Sequence, residues 1–132
     1  MRRPRVLLAD DHQGVLDSVA RLLTPEFDVV AQVRNGRELL DRVSELWPDV
    51  CVIDISMPII GGIDAAKTLG ADGIKTKIIF LTVYEDQDFV NAAMAAGAQG
   101  YVIKSRIAED LCEAIRRALT GALFISPIQN SS

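Results

Sequence analysis

The stretch Val50-Cys51-Val52-Ile53-Asp54-Ile55-Ser56-Met57-Pro58 decides how the rest of the chain is read. It is an apolar, mostly β-branched run that breaks on a carboxylate. Such a run reads as a strand buried on both faces, as in a parallel sheet covered by helices. Asp54 then falls near the strand's C-terminal end, where open α/β sheets place their ligands. A charged group there is costly unless it is paired or holds a cation, so Asp54 needs companions elsewhere in the chain.

Ahead of that strand, Arg5 to Ala9 (RVLLA) predicts a first buried strand ending at Asp10-Asp11-His12. Val15, Val19, Leu22 and Leu23 then share one helical stripe, which Pro25 stops. Phe27 to Val33 is β-rich and Asn35-Gly36 is a turn. Leu39, Leu40, Val43, Leu46 and Trp47 form a second stripe, closed by Pro48-Asp49. Beyond the opening strand, Gly61-Gly62 introduces a short helix from Ile63 to Leu69, with Gly70 as its C-terminal cap. Lys77 to Thr82 (KIIFLT) is the fourth strand. Glu85, Asp86 and Asp88 crowd the first turn of the next helix, where negative charge suits the dipole. Phe89, Val90, Ala93 and Met94 are its buried face, and Gly97 ends it. Gly100 to Lys104 (GYVIK) is the fifth strand, and Glu109 to Thr120 a last helix carrying Leu111, Ile115, Ala118 and Leu119.

Five strand-helix pairs in alternation predict an α/β fold, a doubly wound parallel sheet of five strands with five helices. Right-handed crossovers make the flavodoxin-like order 2-1-3-4-5 the natural topology. A chain of 132 residues suits one domain. Residues 1–122 carry the five units, and residues 123–132 read as a tail or the start of a linker. Within that tail, Leu123-Phe124-Ile125 either packs on the domain as a strand-like segment or belongs to an interdomain or dimer contact.

Acidic residues (18) outnumber basic ones (14), which argues against this segment clamping nucleic acid through its phosphates. Arg2-Arg3-Pro4-Arg5 reads as a solvated terminus. No apolar run approaches the ~18–20 residues of a membrane helix. Val6-Leu7-Leu8-Ala9 stops at two aspartates, so the start reads as neither a secretory nor a twin-arginine signal. Cys51 and Cys112 show no metal-type spacing and read as small apolar side chains. A cytoplasmic location is the expectation.

The C-terminal ends of the strands carry Asp10-Asp11, Asp54, Thr82 and Lys104. In the order above, these groups converge on one edge at the topological switch point. Three carboxylates at close quarters repel one another and call for a cation. Few, hard oxygen ligands suit Mg²⁺, which keeps several waters and shares a phosphate readily. A threonine hydroxyl and a lysine ammonium are what the remaining oxygens of a phosphoryl group want. Asp54 is the best candidate nucleophile, since a carboxylate forms an acyl phosphate. His12, the only histidine, reads as a polar residue opening a helix beside the site.

These residues carry a resemblance. The chain resembles, over essentially its whole length, a response-regulator receiver (CheY-like) domain of two-component signalling. Asp10-Asp11 is similar to the family's acidic pair and Asp54 to its phosphoacceptor. Met57-Pro58 with Gly62 matches the pattern that follows it, and Thr82 and Lys104 match the hydroxyl and lysine positions. Asp10-Asp11-His12, Asp54-Ile55-Ser56-Met57-Pro58, Gly100-Tyr101, Ser105 and Ser126-Pro127 resemble the NarL/FixJ-like subgroup, whose receivers usually precede a LuxR-type helix-turn-helix.

The resemblance implies a receiver over residues 1–122 in which Asp10, Asp11, Asp54 and the backbone carbonyl of Ser56 hold Mg²⁺. Asp54 would accept a phosphoryl group from a sensor histidine kinase or a small phosphodonor, assisted by Thr82 and Lys104. Thr82 would then move and Tyr101 turn inward, a two-state switch, although Tyr101 is equally readable as a half-buried strand residue. The implied protein is a phosphoacceptor rather than an enzyme. It would switch a partner, a homodimer or a DNA-binding output, touching DNA only through an effector domain outside these residues. Val83 is bulkier than the residue common after Thr82, and Ile59-Ile60-Gly61 is an unusual filling before Gly62. Two other classes compete. A haloacid-dehalogenase-like phosphatase or phosphotransferase wants a second carboxylate two residues after its nucleophile, where this chain has Ser56. A phosphorylation-independent interaction module would bind partners regardless of Asp54.

Overall fold

Six strands pair in parallel in the order β2-β1-β3-β4-β5-β6 in a computed structural model that describes residues 2–128. The chain alternates strictly at first: β1 (Arg5–Ala9), α1 (Gln13–Leu23), β2 (Asp28–Val33), α2 (Gly36–Leu46), β3 (Val50–Asp54) and α3 (Gly62–Ala71). It continues through β4 (Lys77–Thr82), α4 (Gln87–Ala95) and β5 (Gly100–Ile103) to a 3₁₀ turn over Lys104–Arg106, α5 (Ile107–Leu119) and β6 (Phe124–Ile125). The expected order 2-1-3-4-5 and the five α-helices are present. The two-residue β6 extends the sheet beyond β5, with Gly100 opposite Phe124 and Tyr101 opposite Ile125.

Strand residues alternate between two cores. Leu7, Ala9, Cys51, Ile53, Phe80 and Tyr101 meet α2, α3 and α4 through Leu39, Val43, Ala65, Leu69 and Ala93. Val6, Leu8, Val52, Ile79, Leu81 and Val102 meet α1 and α5 through Leu16, Val19, Leu23, Leu111 and Ile115. Burial on both faces explains why the strands read as unbroken apolar runs rather than as alternating ones. Each large side chain so buried contributes about 1.5–3 kcal/mol. The order reverses between β1 and β3, so the C-terminal ends of β1, β3, β4 and β5 border one crevice.

Several local expectations need correction. Trp47 is not on the buried stripe of α2: it caps the helix in the left-handed region (φ 50°) and is 63% exposed. The residue before a proline is pushed out of the helical region, and Pro48 follows. Gly70 lies inside α3 rather than capping it; the helix reaches Ala71, and Gly73 supplies the positive φ just beyond. Glu85 precedes α4, whose N-cap is Asp86. Arg5 is no solvated terminus, since its guanidinium donates to the carbonyls of Leu46 and Trp47 at the end of α2. Leu119 ends α5 exposed.

Candidate functional site

Asp10, Asp54 and Thr82 are buried at the C-terminal ends of β1, β3 and β4, with Asp11 and Lys104 partly exposed beside them. The β ladders place them: Ala9 lies opposite Ile53, and Asp54 opposite Leu81. The Asp10 N–H extends the β1–β2 ladder by donating to the Val33 carbonyl (3.1 Å), so its carboxylate is held just past the strand end. The 3₁₀ turn after β5 carries Lys104 back over the crevice. Its Nζ lies 2.8 Å from Asp10 Oδ2 and 3.5 Å from Asp54 Oδ2.

Burial, joined by the neighbouring Asp10 charge, raises the Asp54 carboxyl above its ordinary value; Lys104 and the Ser56 N–H (3.2 Å to Asp54 Oδ1) only partly oppose this. For Lys104, burial alone would lower the ammonium, but the Asp10 and Asp54 carboxylates together raise it. Among the described residues no hydrogen bond reaches Asp11 Oδ1, although that atom is buried. The ligand atoms of Asp10, Asp11, His12 and Asp54 all lie within 4.8 Å of one another. One lysine against three carboxylates leaves a surplus of negative charge and an oxygen without a donor, which is a pocket shaped for a cation.

The rim is built by aromatic contacts. Tyr84 stacks on Phe89 (centroids 4.2 Å apart, planes at 7°), and its hydroxyl meets Ser56 Oγ at 2.9 Å across the mouth of the crevice. The Tyr84 N–H donates to Thr82 Oγ1 (3.1 Å). Tyr101, read from the sequence as half-buried or switching, is wholly buried, and its hydroxyl donates to the Tyr84 carbonyl (2.7 Å). Burial, with the Asp86 charge, pushes its phenol up to about 12. Val83 is exposed at the rim, 65% accessible. The structure thus gathers Asp10, Asp11, Asp54, Thr82 and Lys104, and sets Ser56 and Tyr101 on either side of the Tyr84 ring and backbone. Sequence reasoning missed the contact of His12 with the carboxylates, and Arg34, whose guanidinium donates to the Asp11 carbonyl (2.8 Å). Adjacency to the acidic pair was the one available sign for His12; nothing in the sequence pointed to Arg34.

Comparison with known proteins settles the family. The model of the response regulator receiver domain matches residues 6–116. The chain belongs to this receiver family. It is 37% identical over 125 residues to the transcriptional regulatory protein YvfU of Bacillus subtilis, covering 93% of this chain and 62% of that one. The response regulator GacA of Pseudomonas viridiflava is equally similar, with 93% and 58% covered. The receiver therefore spans about three-fifths of the length of these two relatives. Among solved structures, a LuxR-family two-component response regulator from Aurantimonas sp. SI85-9A1 superposes with a TM-score of 0.88 at 34% identity, covering 95% of this chain and 91% of the other. The isolated receiver of RcsB from Salmonella enterica serovar Typhimurium, solved with the phosphomimetic BeF₃⁻, gives 0.86 at 26% identity, with 94% of both chains covered.

Proposed function

We propose that this receiver accepts a phosphoryl group on Asp54 from a sensor histidine kinase in the cytoplasm and acts as a switch, not as an enzyme that turns over a free substrate. The supporting observation is the Lys104 ammonium lying against both buried carboxylates, Asp10 and Asp54, beside an Asp11 oxygen without a donor. The donor set fits Mg²⁺, which Asp10, Asp11, Asp54 and the Ser56 backbone carbonyl would hold. When bound, the ion neutralises charge on the transferring oxygens. An Asp54 oxygen attacks phosphorus as the bond to the donor nitrogen breaks, its electron pair leaving with the imidazole, which takes a proton from water. Lys104 and the Thr82 hydroxyl meet the equatorial oxygens of the moving group, where charge builds up.

The aspartyl phosphate adds roughly −1.5 to −2 charges to one sheet edge. Thr82 turning toward it would release the Tyr84 N–H, and Tyr84 is what Tyr101 holds. The inward Tyr101 is the arrangement this reading assigns to the signalling state. Residues 1–122 act as the receiver, and residues 123–132 as a tail or the beginning of a linker to an effector domain. A homodimer formed on phosphorylation, and DNA reached only through that effector, complete the proposal; the second accords with the transcriptional regulatory protein YvfU among the relatives. Acetyl phosphate with Mg²⁺ should add one phosphoryl group, seen by intact mass, and the Asp54→Asn variant should stay unmodified. Wild type and variant behaving alike would sink the reading.

A further inference from the structure

His12 opens α1 at the N-cap position, yet its side chain makes no capping hydrogen bond. Instead the imidazole turns back to the acidic pocket. Its Nδ1 lies 3.1 Å from Asp10 Oδ1 and 3.0 Å from Asp11 Oδ1, while its backbone N–H donates to Asp10 Oδ1 (2.9 Å). A neutral imidazole has one N–H to offer. The contact to Asp10 has hydrogen-bond geometry, and Asp11 Oδ1 stays buried without a donor. The ring nitrogen thus stands about one octahedral edge from each of two carboxylate oxygens: with metal–ligand bonds of about 2.1 Å, that edge is about 3.0 Å.

We propose that His12 is a ligand of the bound divalent ion and sets the site's selectivity, favouring nitrogen-binding first-row ions such as Ni²⁺ and Zn²⁺ over Mg²⁺. The inference rests on reading the acidic pocket as a divalent-cation site, and adds to it which ion the pocket prefers. Imidazole suits zinc, copper and nickel, whereas carboxylate, carbonyl and water suit magnesium. Carboxylates alone already bind the later ions more tightly, so the claim concerns the part of that preference that His12 supplies. The exposed ring can move the short way from sharing its proton with Asp10 to facing an ion with its bare nitrogen, since the outer side of His12 is open to solvent.

The test is calorimetric titration of the full chain with Mg²⁺ alone and with Ni²⁺ alone. His12→Asn is the principal variant, because asparagine is a good N-cap and keeps α1 intact; His12→Ala is the second. Both should lose about tenfold or more in Ni²⁺ affinity and change less than twofold with Mg²⁺, while Asp11→Asn weakens both ions. In wild type, the His12 ring-nitrogen resonances should move when Zn²⁺ saturates the pocket and stay in place with Mg²⁺. If both ions bind and Asp11→Asn weakens both, but the histidine variants keep the Ni²⁺-to-Mg²⁺ ratio within twofold, the His12 proposal is overturned and the cation pocket stands. If neither ion binds wild type, both fall.

Discussion

At the scale of single residues, the pocket is built at a cost to stability. Burial and the Asp10 charge raise the Asp54 carboxyl in the folded protein. An acid raised on folding holds its proton more tightly in the folded state than in the unfolded one. The Asp54 contribution to stability is therefore most favourable below the ordinary carboxylate value, about 3.9, and falls as pH rises from there through the folded value. At neutral pH the ionised Asp54 works against the fold. Asp54→Asn should melt higher than wild type in metal-free buffer by a few degrees, the effect of about 1 kcal/mol at this size. The gap should shrink as pH falls toward and below the ordinary carboxylate value, about 3.9, and narrow when a divalent cation is added. Scanning calorimetry decides it, and a variant that melts lower at neutral pH contradicts the account. Asp10, Asp11, Asp54, Thr82 and Lys104 were legible in the sequence because each sits at or just beyond the end of an apolar run, and a parallel sheet gathers such ends. The direction of the His12 ring was not, since periodicity says nothing of where an imidazole beside an acidic pair turns.

At the scale of elements, the loop from β3 to α3 shapes the mouth of the site. Its unusual Ile59-Ile60-Gly61 filling left its course open in the sequence. Ile59 is left-handed (φ 72°) and 78% exposed, a conformation a β-branched residue rarely adopts. Ile60 packs on the core, its N–H donating to the Pro58 carbonyl (2.8 Å), and the Gly62 N–H donates to the Ile55 carbonyl (2.9 Å). Two glycines make room for this path: a methyl group at Gly36 would run into the Ile60 carbonyl, and one at Gly62 into the Asp54 carbonyl. Ile59→Gly should therefore stabilise by about 0.5–1 kcal/mol, relief of strain outweighing glycine's entropy cost, while Gly36→Ala should cost about 2 kcal/mol or more. Urea midpoints measure both; an Ile59→Gly chain weaker than wild type would show the turn is unstrained. Helix ends were the poorly legible elements for a related reason. Gly70 and Trp47 look like a stop and a core residue, but tertiary packing carries α3 through the first, and Pro48 turns the second out to solvent.

At the scale of the whole molecule, β6 is tied down by a buried polar cluster. The Ser126 hydroxyl donates to Asp110 Oδ2 (2.7 Å) and accepts from the Ile103 N–H (3.1 Å), while Arg106 clasps Asp110 with two hydrogen bonds. The Arg106 bonds, helped by Ser126, hold the Asp110 carboxyl below its ordinary value. The stability it lends is thus present at neutral pH and lost as pH falls through that lowered value. Ser126→Ala leaves the Ile103 N–H without its acceptor and should cost about 1–3 kcal/mol, with faster amide exchange at Ile103 than at Val52 in the central strand; unchanged exchange would mean β6 is held by its apolar contacts alone. The sequence offered Leu123-Phe124-Ile125 as either tail or contact, and could not show that Ser126 finds a buried aspartate on α5. The parallel sense of β6 makes the two ends of the fold unequal for anyone attaching a label. The Ser126 N–H donates to the Tyr101 carbonyl, so the chain leaves residue 128 on the edge that bears Asp54. Arg5 starts β1 at the opposite pole, about 16 Å away at ~3.3 Å per residue along the strand. A dye or fusion ahead of Arg5 is a handle for immobilisation that leaves the pocket in the open. The same object after Ile128 becomes a proximity reporter, and also an obstacle to any large donor approaching from that side.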